Sequence, residues 1–148
     1  MSTRRLSREQ ALQALYYMDM HGESVEDPIG LFCSVFMQGK KAGQFFHCLV
    51  EGVGEHRQTI DAVIERFSSN WRISRMTCVD RNVLRIAAFE LLYCADIPPK
   101  VSINEAIDVA KRFGTEESGA FINGILDSIR IAMQNNDVEY VTKTIERK

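Results

Sequence analysis

A short segment near the end of the chain carries side chains suited to contacting an unpaired nucleic-acid strand. Phe113 and Phe121 flank a glycine-containing turn, and Glu117 and Ser118 lie between them. Aromatic rings can stack on bases for about 1–3 kcal/mol per base, while carboxylate and hydroxyl groups can hydrogen-bond to base edges. The same phenylalanines could instead complete the hydrophobic core. The residues alone leave both interpretations open for this aromatic turn (residues 113–121).

The N-terminus carries a separate cluster of positive charge. Arg4, Arg5 and Arg8 lie among the first eight residues without any acidic side chain, in a chain whose formal net charge is −2. A short cationic segment on an acidic body suits local contact with phosphate groups better than broad attraction of polyanions. We therefore predict a basic arm over residues 1–8, with a solvated, disordered terminus as the alternative. The sequence does not show whether the arm lies beside the aromatic turn.

Motifs of common catalytic, cofactor and metal sites are missing from the sequence. Gly52 and Gly54 form only G-x-G with no strand pattern before them, and no G-x-S-x-G is present. The adjacent acids Glu116 and Glu117 precede a predicted helix, where they complement the helix dipole. The 4 cysteines never form C-x-x-C, and the 3 histidines lack metal-ligand spacing. We expect structural thiols, no catalysis, no metal and no cofactor.

The apolar residues recur at helical spacing along nearly the whole chain, with no convincing strand pattern. A length of 148 residues and a hydrophobic content of 45% fit one globular domain with its own core. No apolar run approaches the roughly 20 residues of a membrane span. The arginines at the N-terminus are not followed by a signal-peptide pattern, so we expect a cytoplasmic protein. The prediction is an all-α, single-domain fold over residues 1–148.

Helix start and stop signals subdivide the first half of the chain. Ser7 and Gln10 form a capping-box pattern inside the first helical region. A second helix is expected over about residues 27–39, because an Asp-Pro pair begins it. A third is expected over about residues 41–67, with a bend near Gly54.

The predicted helix over about residues 79–95 is apolar on nearly every side, which indicates a central position in the domain. Thr77 and Asp80 are suited to cap its N-terminus. Arg85 and Glu90 lie within it, and burying either charge unpaired would cost several kcal/mol. Each is therefore expected to have an internal ion partner, with a position at a protein interface as the alternative.

The last two helices have their own signals. Ser102 and Glu105 match a capping box, and Gly114 stands where that helix should stop. Thr115 is expected to cap the final major helix. The tail over residues 136–148 could add one short amphipathic helix.

Four stretches of the chain together point to a known family. They are RRLSREQALQALYYMD at residues 4–19, LVEGVGEH at 49–56, VDRNVLRIAAFELLY at 79–93, and DIPPKVSINEAIDVAKRFGTEESGAFINGILD at 96–127. These stretches closely resemble the NusB family of bacterial transcription antitermination factors. The resemblance implies a bundle of about seven helices in two subdomains, without catalysis. It also implies pairing with the ribosomal protein NusE, binding of single-stranded boxA RNA in nascent ribosomal RNA, and action on elongating RNA polymerase.

The resemblance also implies roles for particular residues. RNA contacts are expected at Arg4, Arg5, Arg8, Phe113, Glu117, Ser118 and Phe121. Contacts with NusE are expected at Tyr16, Asp80 and, on a weaker match, Arg85. Two features depart from the family pattern: the arm has fewer arginines than some relatives, and Glu117 stands where a shorter acid is common.

Two other classes of function remain open at this point. RNA cytosine methyltransferases can carry a NusB-like domain, so the chain could be an RNA-binding module related to theirs. Some NusB relatives form homodimers, so it could also be a self-associating helical adaptor.

Overall fold

The computed structural model describes residues 3–21, 30, 32–33, 43–69 and 71–137. These residues form six α-helices and one 3₁₀ turn, without a strand, so the all-α prediction is confirmed for this part of the chain. The elements are α1 (Thr3–His21), α2 (Gln44–Glu55), α3 (Arg57–Arg66), the 3₁₀ turn (Ile73–Arg75), α4 (Cys78–Tyr93), α5 (Pro99–Phe113) and α6 (Ser118–Gln134). Among them, no helix combines the length and the hydropathy needed to cross a bilayer.

Two predicted helices fall largely outside this description. Of the segment over residues 27–39, the structure describes only Gly30, Phe32 and Cys33, all helical. Of the tail over residues 136–148, it describes only Asn136 and Asp137, which lie in a turn. The third predicted helix is confirmed as two shorter ones, because the chain breaks at His56, close to the expected bend.

Helix α4 is the centre of the domain, as its all-round apolar sequence predicts. Every residue from Asn82 to Tyr93 is buried. α4 packs against α1, α2, α3, α5 and α6, and the buried apolar side chains of all six helices join one core. Thr77 caps α4 as expected, since its hydroxyl accepts a hydrogen bond from the backbone N–H of Asp80 at 3.1 Å.

The contact between α2 and α4 depends on a glycine. A Cβ atom built on Gly52 would collide with the buried ring of Phe89. Replacing Gly52 with alanine should therefore lower the free energy of unfolding by about 1–3 kcal/mol, since overpacking a dense core outweighs the better helix propensity of alanine. Urea denaturation measures the change.

Gly54 supplies the matched control, because it lies in the same helix with open space around its Cα. Gly54→Ala should raise the free energy of unfolding by up to about 1 kcal/mol through helix propensity alone. Equal effects at the two positions would contradict the close packing of α2 on α4.

Helix α5 starts earlier than its sequence pattern suggests, and the predicted capping box is wrong. Pro98 is the N-cap and Pro99 the first helical residue, with no side-chain cap. A proline suits this position because its missing N–H would have no partner in the first turn. Ser102 and Glu105 consequently lie within the helix, where they face α1 and α4.

Candidate nucleic-acid interface

Arg8 lies inside the protein, which differs from the exposed phosphate contact expected from the sequence. Its side chain is 5% exposed and pairs with the fully buried Glu90 through two hydrogen bonds of 2.8 Å. The hydroxyl of Ser102 donates a third bond to Glu90 at 2.6 Å. The internal ion partner expected for Glu90 is therefore confirmed. Arg8 joins α1 to α4, and its guanidinium is not available to RNA in this conformation.

Arg5 is more exposed but also has acidic partners. Its guanidinium donates to both carboxylate oxygens of Glu105, at 3.0 and 2.7 Å, and to Asp108 at 2.8 Å. The hydrogen bond from Arg5 lowers the pKa of Glu105 below its ordinary value of 4.5, although partial burial opposes this shift. Because the folded pKa is depressed, Glu105 stabilises the fold above pH 4.5. That contribution is lost as the pH falls through the lower pKa.

Arg4 is the arginine of this segment with the greatest freedom. It is exposed, it forms no ion pair with any described residue, and its guanidinium lies 4.7 Å from the ring centroid of Phe45 on α2. All three arginines belong to α1, which begins at Thr3. The described part of the predicted arm is thus the first two turns of a helix, and it presents Arg4 and part of Arg5 to solvent.

A row of ion pairs along α5 connects these arginines with the aromatic turn. Asp108 bonds Arg5, and one turn further on Arg112 bonds both carboxylate oxygens of Glu9 at 2.9 Å. Asp108 precedes Phe113 by five residues, or about 7.5 Å along the helix axis. The structure therefore brings the start of α1 and the aromatic turn to the same side of the molecule.

The two phenylalanines of the aromatic turn are neither fully buried nor fully exposed. Both pack against the edge of the core and keep part of the ring accessible. The guanidinium of Arg112 lies 5.2 Å from the ring centroid of Phe113. Trp71 meets Phe121 edge-to-face, with ring centroids 6.1 Å apart. Each ring is thus anchored at the edge of the core and still offers apolar surface, and its contact with RNA stays a prediction.

Ser118 shapes the aromatic turn from inside. It is buried, and its hydroxyl accepts a hydrogen bond from the backbone N–H of Thr115 at 2.9 Å. The expected cap by the Thr115 side chain is therefore wrong: α6 begins at Ser118, and its N-cap Glu117 makes no side-chain cap. Gly114 ends α5 as predicted, and a Cβ there would lie 2.5 Å from the Ser118 hydroxyl oxygen. Of the predicted polar RNA contacts in this turn, Glu117 is exposed and Ser118 is not.

The residues predicted to face a protein partner lie at the junction of α1 and α4. Tyr16 is 42% exposed, and Met20, four residues later on the same helix face, is 64% exposed. Asp19, between them in sequence, bonds Arg81, the neighbour of Asp80 in α4. Oxygen Oδ1 of Asp80 is buried without a hydrogen-bond partner among the described residues. An exposed apolar pair is suited to a protein interface, and the bond between Asp19 and Arg81 joins its helix to the N-terminal turn of α4, where Asp80 lies.

Arg85, the third predicted partner contact, is buried instead. Its side chain is 3% exposed and donates two hydrogen bonds to Asp61, at 2.9 and 3.1 Å, and others to Asn82 and Asp19. The internal ion partner expected for Arg85 is confirmed. Burial raises the pKa of Asp19, but hydrogen bonds from Asn82 and Arg81 outweigh it, so the net pKa is lowered.

Some residues of this surface were not identified from the sequence. Arg112 and Trp71 contact the aromatic turn, Phe45 lies under Arg4, and Met20 extends the exposed face of Tyr16. Only Met20 had a usable signal, its i,i+4 spacing from Tyr16. The other contacts join segments far apart in sequence. The part of the chain that the structure describes contains no group of three or more candidate metal ligands.

The fold and this surface together indicate the class of protein: an all-helical, non-catalytic binding protein. One edge of it is aromatic and basic, and a separate face is apolar. Residues 5–130 match the sequence model of the NusB family. The chain is 53% identical over 131 residues to the transcription antitermination protein NusB of Desulfatibacillum aliphaticivorans, covering 88% of this chain and 92% of that one. The chain belongs to the NusB family of transcription antitermination factors and is not an enzyme.

Solved structures agree with this assignment. NusB of T. maritima is 40% identical, with a TM-score of 0.77 over 87% of this chain and 91% of that one. A crystal structure of antitermination factors NusB and NusE in complex with dsRNA contains a chain that is 30% identical, with a TM-score of 0.75 over 89% of this chain and 98% of that one.

Proposed function

We propose that this protein binds single-stranded boxA RNA of nascent ribosomal RNA together with NusE, and so supports antitermination by RNA polymerase in the cytoplasm. The observation that carries the proposal is a turn with two half-buried phenylalanines at the end of α5, the helix whose Asp108 and Arg112 bind Arg5 and Glu9 near the start of α1. Half-buried rings are fixed by the core and still accessible, so stacking a base on them costs little conformational entropy.

In this proposal the rings of Phe113 and Phe121 hold unpaired bases, and Arg4 contacts a phosphate. Arg5 contributes in part, because two acids already share its charge. Glu117 accepts a hydrogen bond from a base amino group, since a carboxylate near phosphate is otherwise repulsive. Ser118 acts indirectly by fixing the turn, and Arg8 by anchoring α1.

The partner surface is proposed around Tyr16, Met20 and Asp80. A NusE-like protein would cover the exposed apolar pair and supply a donor to the Asp80 carboxylate. Support comes from the similar NusB chain that was crystallised with NusE and RNA. The RNA in that crystal is described as double-stranded, whereas stacking on the aromatic turn requires unpaired bases, so the two forms of RNA must be compared directly.

The decisive substitution is Phe121→Leu, which keeps apolar packing and removes the aromatic face. It should weaken binding of a boxA-type single strand by about 1–3 kcal/mol, or at least about fivefold. A duplex of the same sequence should bind more weakly than the single strand to the wild-type protein. Fluorescence anisotropy with labelled RNA, with and without NusE, measures both.

Tyr17→Leu is the matched control, because Tyr17 is a half-buried aromatic residue that packs on Phe32, outside the proposed RNA surface. It should leave the RNA affinity of the isolated protein unchanged. Equal affinity of Phe121→Leu and wild type for the single strand would remove the aromatic turn from the proposal. Preference for the duplex would contradict recognition of unpaired bases.

A further inference from the structure

Beyond the aromatic turn, the structure contains a second aromatic and basic surface. Trp71 is 52% exposed and is followed closely by the exposed Arg72 and Arg75. Neither arginine forms an ion pair with a described residue. Arg66 adds a further exposed guanidinium, which lies 4.9 Å from the ring centroid of Phe67. Exposed aromatic surface interleaved with unpaired guanidinium groups is the combination that single strands require.

This second surface is continuous with the aromatic turn. The ring centroids of Trp71 and Phe121 are 6.1 Å apart, with an angle of 74° between the ring planes. An edge-to-face contact uses one face of only one of the two rings, so aromatic surface remains accessible on this pair. Because the rings are nearly perpendicular, one continuous stack of bases cannot cover both. A strand that used both would have to turn between them.

Hydrogen bonds anchor the backbone at Trp71 and Ile73. The backbone N–H of Trp71 donates to the carbonyl of Ser68 at 3.1 Å, and the Ser68 hydroxyl bonds the Trp71 carbonyl. The Glu65 carboxylate accepts a hydrogen bond from the backbone N–H of Ile73 at 2.8 Å, and the Ile73 side chain is buried in the core. This bond gives Glu65, the acid nearest to Trp71 in sequence, a structural role. The backbone that carries Trp71 is thus anchored to the fold, and the Trp71 ring contacts Phe121.

We propose that Trp71, Arg72 and Arg75 form an extension of the RNA-binding surface, which holds nucleotides of the same single strand beyond those on the aromatic turn. This inference rests on the proposed function, because it assumes that RNA lies on Phe121. Trp71 stacks on one base, and Arg72 and Arg75 contact the phosphates beside it. The occupant is single-stranded RNA, because accessible ring faces bind unpaired bases and guanidinium groups complement phosphates.

The test compares two single strands: a short boxA-type oligonucleotide whose binding depends on Phe121, and the same strand lengthened by about four nucleotides at each end. Trp71 is the sole tryptophan of the chain, so its fluorescence reports directly on its surroundings. The long strand should quench the fluorescence of Trp71 and reduce its further quenching by added acrylamide. Trp71→Leu should weaken binding of the long strand at least about fivefold and leave the short strand unaffected. Trp71→Phe should restore most of the loss, because it retains a stacking face.

The charge contribution is tested separately. The double variant Arg72→Ala, Arg75→Ala should reduce the salt dependence of long-strand binding by about 1.4 in slope, at about 0.7 per phosphate. Lys100→Ala is the control, because Lys100 is an exposed basic residue at the start of α5. This substitution should leave the salt dependence of RNA binding unchanged.

The outcomes separate the extension from the proposed function. If Phe121→Leu weakens both strands while Trp71→Leu weakens neither, the extension is wrong and the proposed function stands. If Trp71→Leu weakens both strands equally, Trp71 acts only by packing against Phe121, and the extension is again wrong. If the wild-type protein, with NusE present, binds neither strand, both proposals fail.

Discussion

Replacing Arg8 with methionine should lower the free energy of unfolding by about 3–5 kcal/mol. The substitution removes two of the three hydrogen bonds that described residues donate to the Glu90 side chain, which is 1% exposed. Among the described residues, Ser102 is then the remaining donor to this buried carboxylate. Urea denaturation near neutral pH measures the loss. This is the largest single effect expected in the molecule, because both charges of the pair are almost completely removed from water.

Arg4→Met is the matched control, since Arg4 lies one turn earlier on α1 and is exposed. Its effect should stay within about 0.5 kcal/mol. The double variant Arg8→Met, Glu90→Met should recover much of the lost stability, because an apolar pair can replace a buried ion pair. A stable Arg8→Met protein that had lost only RNA affinity would show that Arg8 is an RNA contact after all.

The second large effect is expected for Arg85→Met, which should lower the free energy of unfolding by about 3 kcal/mol. Arg85 is 3% exposed and bonds Asp61, Asn82 and Asp19, so its removal leaves two carboxylates with fewer donors. The expected loss is smaller than for Arg8 because Asp61 is 25% exposed and retains contact with water. Thermal or urea unfolding measures it.

Arg57 offers a close comparison, because it contacts the same two acids from the surface, at 3.4 Å from Asp19 and 3.8 Å from Asp61. Its side chain is 50% exposed, so Arg57→Met should cost less than about 1 kcal/mol. Arg85→Lys keeps the charge but not the two-point bonding to Asp61, and should fall between wild type and Arg85→Met. Wild-type stability of Arg85→Met, together with lost binding of NusE, would place Arg85 at the partner interface.

The sequence specified the architecture well because its strongest signals are local. A helix that is apolar on every side can remove all of those side chains from water only in the interior, and α4 lies there. Thr77 caps that helix as expected, since a cap depends on residues three positions apart. Gly114 likewise ends α5 where its position indicates.

Local patterns gave wrong predictions where a side chain's hydrogen-bond partner lies far away in sequence. Ser102 and Glu105 have capping-box spacing, yet three residues is also the spacing of two side chains on one helix face. Their actual partners, Glu90 and Arg5, lie 12 and 100 residues away in sequence. Arg8 shows the same effect: an arginine near a terminus suggests a solvated charge until the fold brings Glu90 to it.

The sequence predicted which residues belong to the candidate site, but not which of them are exposed and which are buried. The sequence identified the two phenylalanines and the arginines, and the structure places Arg5 against α5, the helix that leads into the aromatic turn, and Arg4 over Phe45 on α2. It could not show that Ser118 and Arg8 are buried, because burial depends on contacts among α1, α4, α5 and α6. The position of Trp71 beside Phe121 likewise depends on how distant segments pack.

The most direct test of the central claim is a map of backbone amide shifts in the NMR spectrum on adding a boxA-type single strand. The largest shifts should fall at residues 113–121 and in the first turns of α1. The groove lined by Pro98, Arg130 and Met133 lies at the other end of the α5–α6 pair, about 20 Å away, and should be unchanged. Shifts concentrated at that groove, with none at the aromatic turn, would contradict the account.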